Sequence, residues 1–241
     1  MDQEIKALFD EATSALKRLE DKIRDEHNPP LTNINPELYK KIRVPYNYIR
    51  KKSTFIEDYH LSELIGKNRI LYNNIAYSLQ LTDFNNFILN RVELYGAIKN
   101  QFLKNCIVQN FAIVEAIILE TLYDLGAHCV IKGNSCKYSA TCIGFINHQE
   151  NMKNPTAKEL LANKLNVSNE FITMYSVILR IRDRIHMRLI KTNEYFDADD
   201  ALTFKMYNES IILLRYIKTS LLEDISLFLI ERDKICTKHT F

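Results

Sequence analysis

Apolar residues recur every three or four positions along most of this chain, a spacing that predicts helices. The clearest case is residues 2–26, where apolar side chains alternate in steps of four and three and form an a/d seam of about three heptads. The members of the seam are Ile5, Phe9, Ala12, Leu16, Leu19 and Ile23. The seam could pair with another chain or lie on the rest of the protein, and so short a seam is marginal as an independent coiled coil.

Residues 27–56 are predicted to be a polar connector, because four prolines interrupt them. The prolines are Pro29, Pro30, Pro36 and Pro45. A helix is then predicted at 57–80, and Thr82–Asp83 is a candidate cap for the next one, which continues with or without a break to Leu125 before Gly126.

The rest of the chain is also predicted to be helical, apart from a loop-like insertion at 127–154. A short helix with a capping box opens near Pro155. Ser168 or Asn169 caps the helix that follows, and residues 201–225 form a last amphipathic helix. Only five glycines and five prolines occur in 241 residues, which also favours an all-α protein. We therefore expect a helical bundle over 57–241 and an N-terminal helical appendage over 1–56.

Three arginines and a histidine interrupt the helix predicted after Ser168. At about 100° per residue, Arg182 and His186 share one edge of its apolar stripe, and Arg180 and Arg184 share the opposite edge. Histidine exchanges protons near neutral pH and arginine stabilises charge on a phosphate, so the pair suits an RNA phosphodiester. The alternative is that both side chains cap the core and meet an acidic partner.

The segment VILRIRDRIHM, residues 177–187, resembles the Arg-polar-x-x-His region of the HEPN family (higher eukaryotes and prokaryotes nucleotide-binding domains). The layout is similar as well. A long apolar helix with a lone glutamate, residues 110–122, precedes the motif, and the amphipathic helix at 201–225 follows it. The resemblance covers roughly residues 84–232.

The resemblance implies an all-α, up-down HEPN-like bundle. Many HEPN domains are metal-independent endoribonucleases of toxins or antiviral defence, in which a ribose 2′-hydroxyl attacks the adjacent phosphorus. It also implies a homodimer with two copies of the motif across the interface, RNA as substrate, no cofactor, and an antitoxin or defence-system protein as a further partner. The alternative function is a catalytically inactive HEPN-like module that binds RNA or a protein partner. A regulatory helical protein unrelated to RNA would leave the arginine cluster unexplained.

The family pattern is an arginine, usually a polar residue after it, then four to six residues and a histidine. Arg180 has the spacing to His186 but is followed by Ile181, whereas Arg182 is followed by the polar Asp183 but has three residues before His186. Helical geometry favours Arg182, because Arg180 points about 120° away from His186. The resemblance therefore assigns catalysis to His186 and Arg182, with Arg180 as the alternative and Asp183 at the polar position.

Glu115 lies in the apolar run FAIVEAIIL, where an unpaired carboxylate would cost several kcal/mol. We expect it to have a partner among the arginines of residues 180–184. Glu115 would then orient the catalytic arginine, with Arg184 as a second supporting residue, or would form a purely structural ion pair. Either arrangement brings the two helices into contact.

The connector carries six cations, interleaved with Tyr39, Tyr46 and Tyr48. They are Lys40, Lys41, Arg43, Arg50, Lys51 and Lys52. Cations beside aromatic rings can hold single-stranded RNA through phosphate contacts and base stacking. The alternative is a solvated linker.

Composition adds little positive indication of function. The net charge of +2 is too small to indicate nucleic-acid binding by itself. Five cysteines without a secretion signal favour reduced thiols, and the gaps between those in 127–154 are too long for a common zinc knuckle. No apolar run is expected to span a bilayer and the N-terminus lacks the regions of a signal peptide, so we expect a cytoplasmic protein without a bound metal.

Overall fold

The computed structural model describes residues 3–23, 48–66, 68–127, 157–158, 161–162, 165, 167–185 and 203–237. Side chains are described up to residue 18 in the first range, up to 125 in the range 68–127 and up to 230 in the range 203–237. In the range 167–185 they are described up to residue 177 and at residue 179. Every regular element in these ranges is a helix, which confirms the all-α class for this part of the chain. The chain divides into two compact units, residues 1–44 and 45–241.

The first unit contributes helix α1 (Gln3–Ile23), as the heptad pattern predicts. Ile5 and Leu16 of the seam are 45% and 46% exposed, whereas Phe9 is partly buried. The second unit holds the remaining helices. In chain order they are α2 (Lys52–Asp58), α3 (Leu61–Ile65), α4 (Arg69–Arg91), α5 (Gly96–Ala127), α6 (Asn169–Ile185), α7 (Phe204–Tyr216), a π-helical turn (Ile217–Leu221) and α8 (Leu222–Thr237).

Helix α5 is the central element of the second unit. It has 32 residues and contacts α3, α4, α6 and α7. Phe111, Ile117 and Leu122 are fully buried in the core that these helices share. A helix with neighbours on several sides needs apolar residues around most of its circumference, which explains why α5 lacks a polar face along much of its length.

A chain of hydrogen bonds crosses this apolar core. The Thr82 hydroxyl of α4 donates to Oδ1 of Asn110 at 3.0 Å, and the Asn110 amide donates to the Ser210 hydroxyl of α7 at 3.0 Å. Ser210 in turn donates to the carbonyl of Tyr207 at 2.6 Å. These hydrogen bonds fix the register of α4, α5 and α7 against one another, because any sliding of the helices would leave buried polar groups unsatisfied.

The predicted cap at Thr82–Asp83 is wrong. Both residues are buried inside α4, which ends at Arg91, and α5 begins only at Gly96 and passes through Gly126 to Ala127. Tertiary partners account for the difference, because Thr82 bonds Asn110 and Asp83 is paired with Arg50. Short polar side chains inside a helix are acceptable where their polar atoms have partners across the core.

The predicted single helix at 57–80 is also wrong, because two backbone reversals divide it. His60 has φ 49° between α2 and α3, and Gly66 has φ 63° after α3. A Cβ added to Gly66 would lie 3.0 Å from the carboxylate oxygens of Asp124, so the turn needs glycine for its close approach as well as for its backbone. Helix α2 begins inside the stretch that was predicted to be a connector.

Two predicted helix starts agree with the structure. Ser168 caps α6 by accepting a hydrogen bond from the Phe171 N–H at 3.2 Å. The last predicted helix, 201–225, is present as α7, the π-helical turn and α8, with the side chain of Thr203 as the cap of α7. The wide turn at 217–221 was not predicted; such turns often occur at functional sites.

One described helix is long and apolar enough to cross a membrane by length and composition, Gly96–Leu125 of α5, contrary to the expectation that no segment reaches that length. About 50% of its most apolar window is buried inside the bundle. The core helix of a soluble protein meets the same criterion.

Candidate functional site

The helical backbone of α6 extends through the predicted catalytic segment as far as Ile185. Positions 180–184 are therefore successive positions of one helix, and their angular relationship follows from helical geometry. The side chains of Arg180, Arg182, Asp183 and Arg184, and all of His186, lie outside the described residues.

The buried face of α6 is rotated from the predicted stripe toward Arg182. Phe171 and Tyr175 are fully buried and Leu179 is partly buried, whereas Thr173 is exposed. Taking Phe171 as zero, Tyr175 lies at about 40° around the helix and position 182 at about 20°. Position 182 therefore continues the core-facing side of α6, which was predicted to have Arg182 at its edge.

Position 180 lies on the other side of α6. It is about 180° from Phe171 and continues the direction of the exposed Thr173. Position 184 lies within about 40° of position 180, so these two positions share the outer side as the sequence predicts. Of the three arginine positions, only position 182 lies in line with the buried residues of the preceding turns of α6.

Aromatic contacts fix the packing of α6. The rings of Tyr175 and Phe111 of α5 are 5.3 Å apart, and the ring of Phe171 lies 4.6 Å from that of Tyr216 of α7. The Tyr216 hydroxyl accepts a hydrogen bond from the Ser168 N–H at 3.2 Å and donates one to Asp224 at 2.7 Å. The start of α6 is thus held by the end of α7.

Glu115 is partly buried on α5, one helical turn beyond Phe111. It takes part in a hydrogen bond or electrostatic interaction, so the carboxylate has a partner as its surroundings require. The expected contact between the helix of Glu115 and the helix of Arg182 is present as the packing of α5 on α6. That the partner of Glu115 is an arginine of 180–184 stays a prediction.

The structure describes three of the six predicted RNA-binding cations, Arg50, Lys51 and Lys52; Lys40, Lys41 and Arg43 lie outside the described residues. Arg50 forms a fork with Asp83, with Nε 3.0 Å from one carboxylate oxygen and Nη2 2.8 Å from the other. Its guanidinium also lies 4.4 Å from the centre of the Phe55 ring. Lys52 lies 5.0 Å from the ring centre of Tyr77, an exposed pairing that solvent can reach.

The ion pairs of Arg50 extend to residues that the sequence analysis missed. Nη1 of Arg50 lies 3.5 Å from the carboxylate of Asp58, and Lys218 of the π-helical turn donates a hydrogen bond to that carboxylate at 2.5 Å. The hydrogen bond to Asp83 raises the pKa of Arg50 above its ordinary value, so the guanidinium stays charged. No local signal could have revealed this network, because 33 residues separate Arg50 from Asp83 and 160 separate Asp58 from Lys218.

Within the described ranges, no group of three or more His, Cys, Asp or Glu side chains could hold a metal ion. Cys106 is buried in the core, and burial raises the pKa of its thiol to about 12, which keeps it protonated and unreactive. The insertion at 127–154, with three further cysteines, lies outside the described residues.

Comparison with protein-family models, with curated proteins and with solved structures finds no match for this chain.

Proposed function

We propose that this protein is a metal-independent endoribonuclease of HEPN type, which acts in a toxin or antiphage-defence role. The observation that carries the proposal is the register of α6: position 182 lies in line with the buried residues of the helix. His186 follows it four positions later in the sequence, the spacing of neighbours on one helix face. A guanidinium and an imidazole side by side on one helix face suit the cleavage of a phosphodiester.

In this mechanism His186 takes the proton from the ribose 2′-hydroxyl or returns one to the leaving 5′-oxygen. Arg182 stabilises the negative charge that develops on the phosphorus oxygens. The reaction leaves a 2′,3′-cyclic phosphate and needs no metal. In a homodimer, two copies of the motif would face each other and could supply the base and the acid from different chains.

The primary test is incubation of the purified full chain with total RNA and with tRNA in EDTA. We expect His186→Ala to abolish cleavage and Arg182→Ala to lower the rate by about 100- to 1,000-fold, as for the loss of one charge-stabilising donor. Arg180→Ala is the matched control, because position 180 lies on the outer side of α6; it should keep most of the activity. Circular dichroism and light scattering should show that all variants keep the fold and the dimer.

If the wild-type protein, folded and dimeric, cleaves no RNA beyond the His186→Ala background, the proposal is wrong. The alternative, a catalytically inactive HEPN-like module that binds RNA or a protein partner such as a cognate antitoxin, would then be favoured. Loss of activity in Arg180→Ala with retention in Arg182→Ala would instead assign the arginine role to position 180.

A further inference from the structure

A cleft of about 260 Å³ opens between α2, α4 and the end of α7. Its apolar lining includes Phe55, Leu79 and Leu214. Charged and hydrogen-bonding groups of α4, α7 and the π-helical turn also line it. A concave site that combines apolar surface with a few convergent polar groups is typical of small-molecule binding sites.

The cleft has one positive charge in excess. Arg50 is paired with Asp83, and Lys218 is paired with Asp58, so these two cations are neutralised. Arg215 also lines the cleft and is exposed. Its guanidinium has no ion-pair or hydrogen-bond partner in the part of the chain that the structure describes. It is therefore available to an anion.

Tyr59 supplies a hydroxyl to the same cleft. The residue is 7% exposed, and its hydroxyl makes no hydrogen bond to any described residue. Burial raises the pKa of Tyr59, so the hydroxyl keeps its proton and remains a donor. An acceptor placed in the cleft would take a hydrogen bond from this hydroxyl.

Asn86 supplies a third donor. Its Oδ1 accepts a hydrogen bond from the Tyr207 hydroxyl, an arrangement that assigns the amide nitrogen to the remaining position. That nitrogen donates no hydrogen bond among the described residues, and Asn86 lines the cleft. The guanidinium, the phenol and the amide come from three different elements and all border one space.

We infer that this cleft binds a compact organic phosphate. A phosphate monoester offers three acceptor oxygens and a charge near −2, which match the three donors, one of which is the unpaired arginine. Its carbon skeleton would lie on Phe55 and Leu214. The volume is below the 300–1,000 Å³ that is usual for drug-sized ligands, so the ligand is a small ester such as a triose or glycerol phosphate.

The test is calorimetric titration of the full chain with glycerol 3-phosphate, inorganic phosphate, glycerol and lactate. We expect saturable binding of glycerol 3-phosphate, weaker binding of inorganic phosphate, which lacks the carbon skeleton, and none of glycerol or lactate. Arg215→Gln should weaken binding at least tenfold. Tyr59→Phe, which keeps the ring and removes only the hydroxyl, should weaken it several-fold.

Arg69→Gln is the matched control, because Arg69 is an exposed arginine at the start of α4, more than two helical turns from the cleft residues of that helix. It should bind like the wild type. The inference is overturned if neither phosphate binds saturably, if lactate binds as well as glycerol 3-phosphate, or if Arg215→Gln and Arg69→Gln bind equally. Thermal unfolding of each variant establishes that a loss of binding is not a loss of fold. None of these outcomes depends on RNA cleavage.

Discussion

The amide of Asn110 donates a 3.0 Å hydrogen bond to the hydroxyl of Ser210, a residue one hundred positions later in the chain. Both side chains are fully buried. Their bond joins the centre of α5 to α7, in the middle of an otherwise apolar core. A buried polar pair of this kind specifies one register between two helices that apolar packing alone would leave less restricted.

Replacement of Asn110 by alanine should lower the free energy of unfolding by about 2–4 kcal/mol, because it removes both hydrogen bonds of the side chain and leaves a small cavity. Urea denaturation measures the change. Asn105→Ala, at an exposed position of the same helix, is the control and should change stability by less than about 0.5 kcal/mol. In the double variant Asn110→Leu, Ser210→Ala, the loss of unfolding free energy should be smaller than the sum of the losses in Asn110→Leu and Ser210→Ala, because each single variant alone removes the Asn110–Ser210 hydrogen bond. Strict additivity would contradict the coupling.

Replacement of Arg50 by alanine should destabilise the protein by about 1–3 kcal/mol, since it leaves the carboxylate of Asp83, 10% exposed, without its fork of donors. This loss of unfolding free energy is smaller than for a fully buried ion pair, because the Arg50 side chain is 42% exposed and screened by water. Thermal unfolding followed by circular dichroism measures it. Adding Asp83→Asn to Arg50→Ala should recover part of the loss, and Lys51→Ala should have almost no effect. Equal unfolding temperatures for Arg50→Ala and Lys51→Ala would refute the prediction.

Cys106 should resist alkylation in the folded protein. Burial raises its pKa from 9.0 to about 12, so the thiolate fraction at pH 8 falls by roughly 1,000-fold relative to an ordinary thiol. The measurement is mass spectrometry of the Cys106 peptide after timed treatment with iodoacetamide, in buffer and in 8 M urea as the unfolded reference. Comparable rates in the two conditions would show that the thiol is accessible.

The same pKa shift predicts a loss of stability at high pH. The folded state holds the Cys106 proton more tightly than the unfolded state does. The stability that this pKa shift contributes is therefore complete below pH 9 and is lost as the pH rises toward 12. Between pH 7.5 and 10.5 the free energy of unfolding of the wild type should fall by about 2 kcal/mol more than that of Cys106→Ala, which lacks the titrating group. Parallel urea titrations at the two pH values give the difference. An equal loss in both proteins would assign the alkaline effect to other groups.

Gly66→Ala should lower the free energy of unfolding by about 1–3 kcal/mol. The residue has a left-handed backbone with φ +63°, and the added Cβ would lie 3.0 Å from the carboxylate of Asp124. Gly96→Ala separates the two effects, since Gly96 has φ +50° with nothing within 4 Å of the added atom. The free energy of unfolding of this control should fall by only about 1 kcal/mol. The comparison of the two unfolding temperatures is the readout, and a larger loss at position 96 would contradict the steric contribution at position 66.

Local patterns of the sequence predicted the elements that depend on local interactions. The seam of α1, the Ser168 cap of α6 and the amphipathic last helix all follow from residues within a few positions of one another. The Thr82–Asp83 cap failed for the complementary reason. Its residues have the right chemistry for a cap, but their partners are Asn110 and Arg50, which only the tertiary fold brings near.

The same distinction applies to the sites. The Arg182 and His186 pattern is visible because only four positions separate the two residues in the sequence. The cleft of Arg215 and Tyr59 is not, because its walls come from segments more than 150 residues apart. The rotation of the buried face of α6 toward position 182 was also missed. Apolar spacing placed Arg182 at the edge of the stripe, and spacing carries no information about the packing of Tyr175 against Phe111.

The central position of α5 also affects how the chain is made. A ribosome adds about 5–20 residues per second, so Ser210 follows Asn110 by about 5–20 s. For that interval the longest and most apolar helix lacks α7 as a cover. Helices α3 and α4 precede it in the chain and contact it in the fold, so they are already synthesised when it emerges. The order of the elements thus provides the nascent helix with intramolecular partners that compete with aggregation and with membrane insertion.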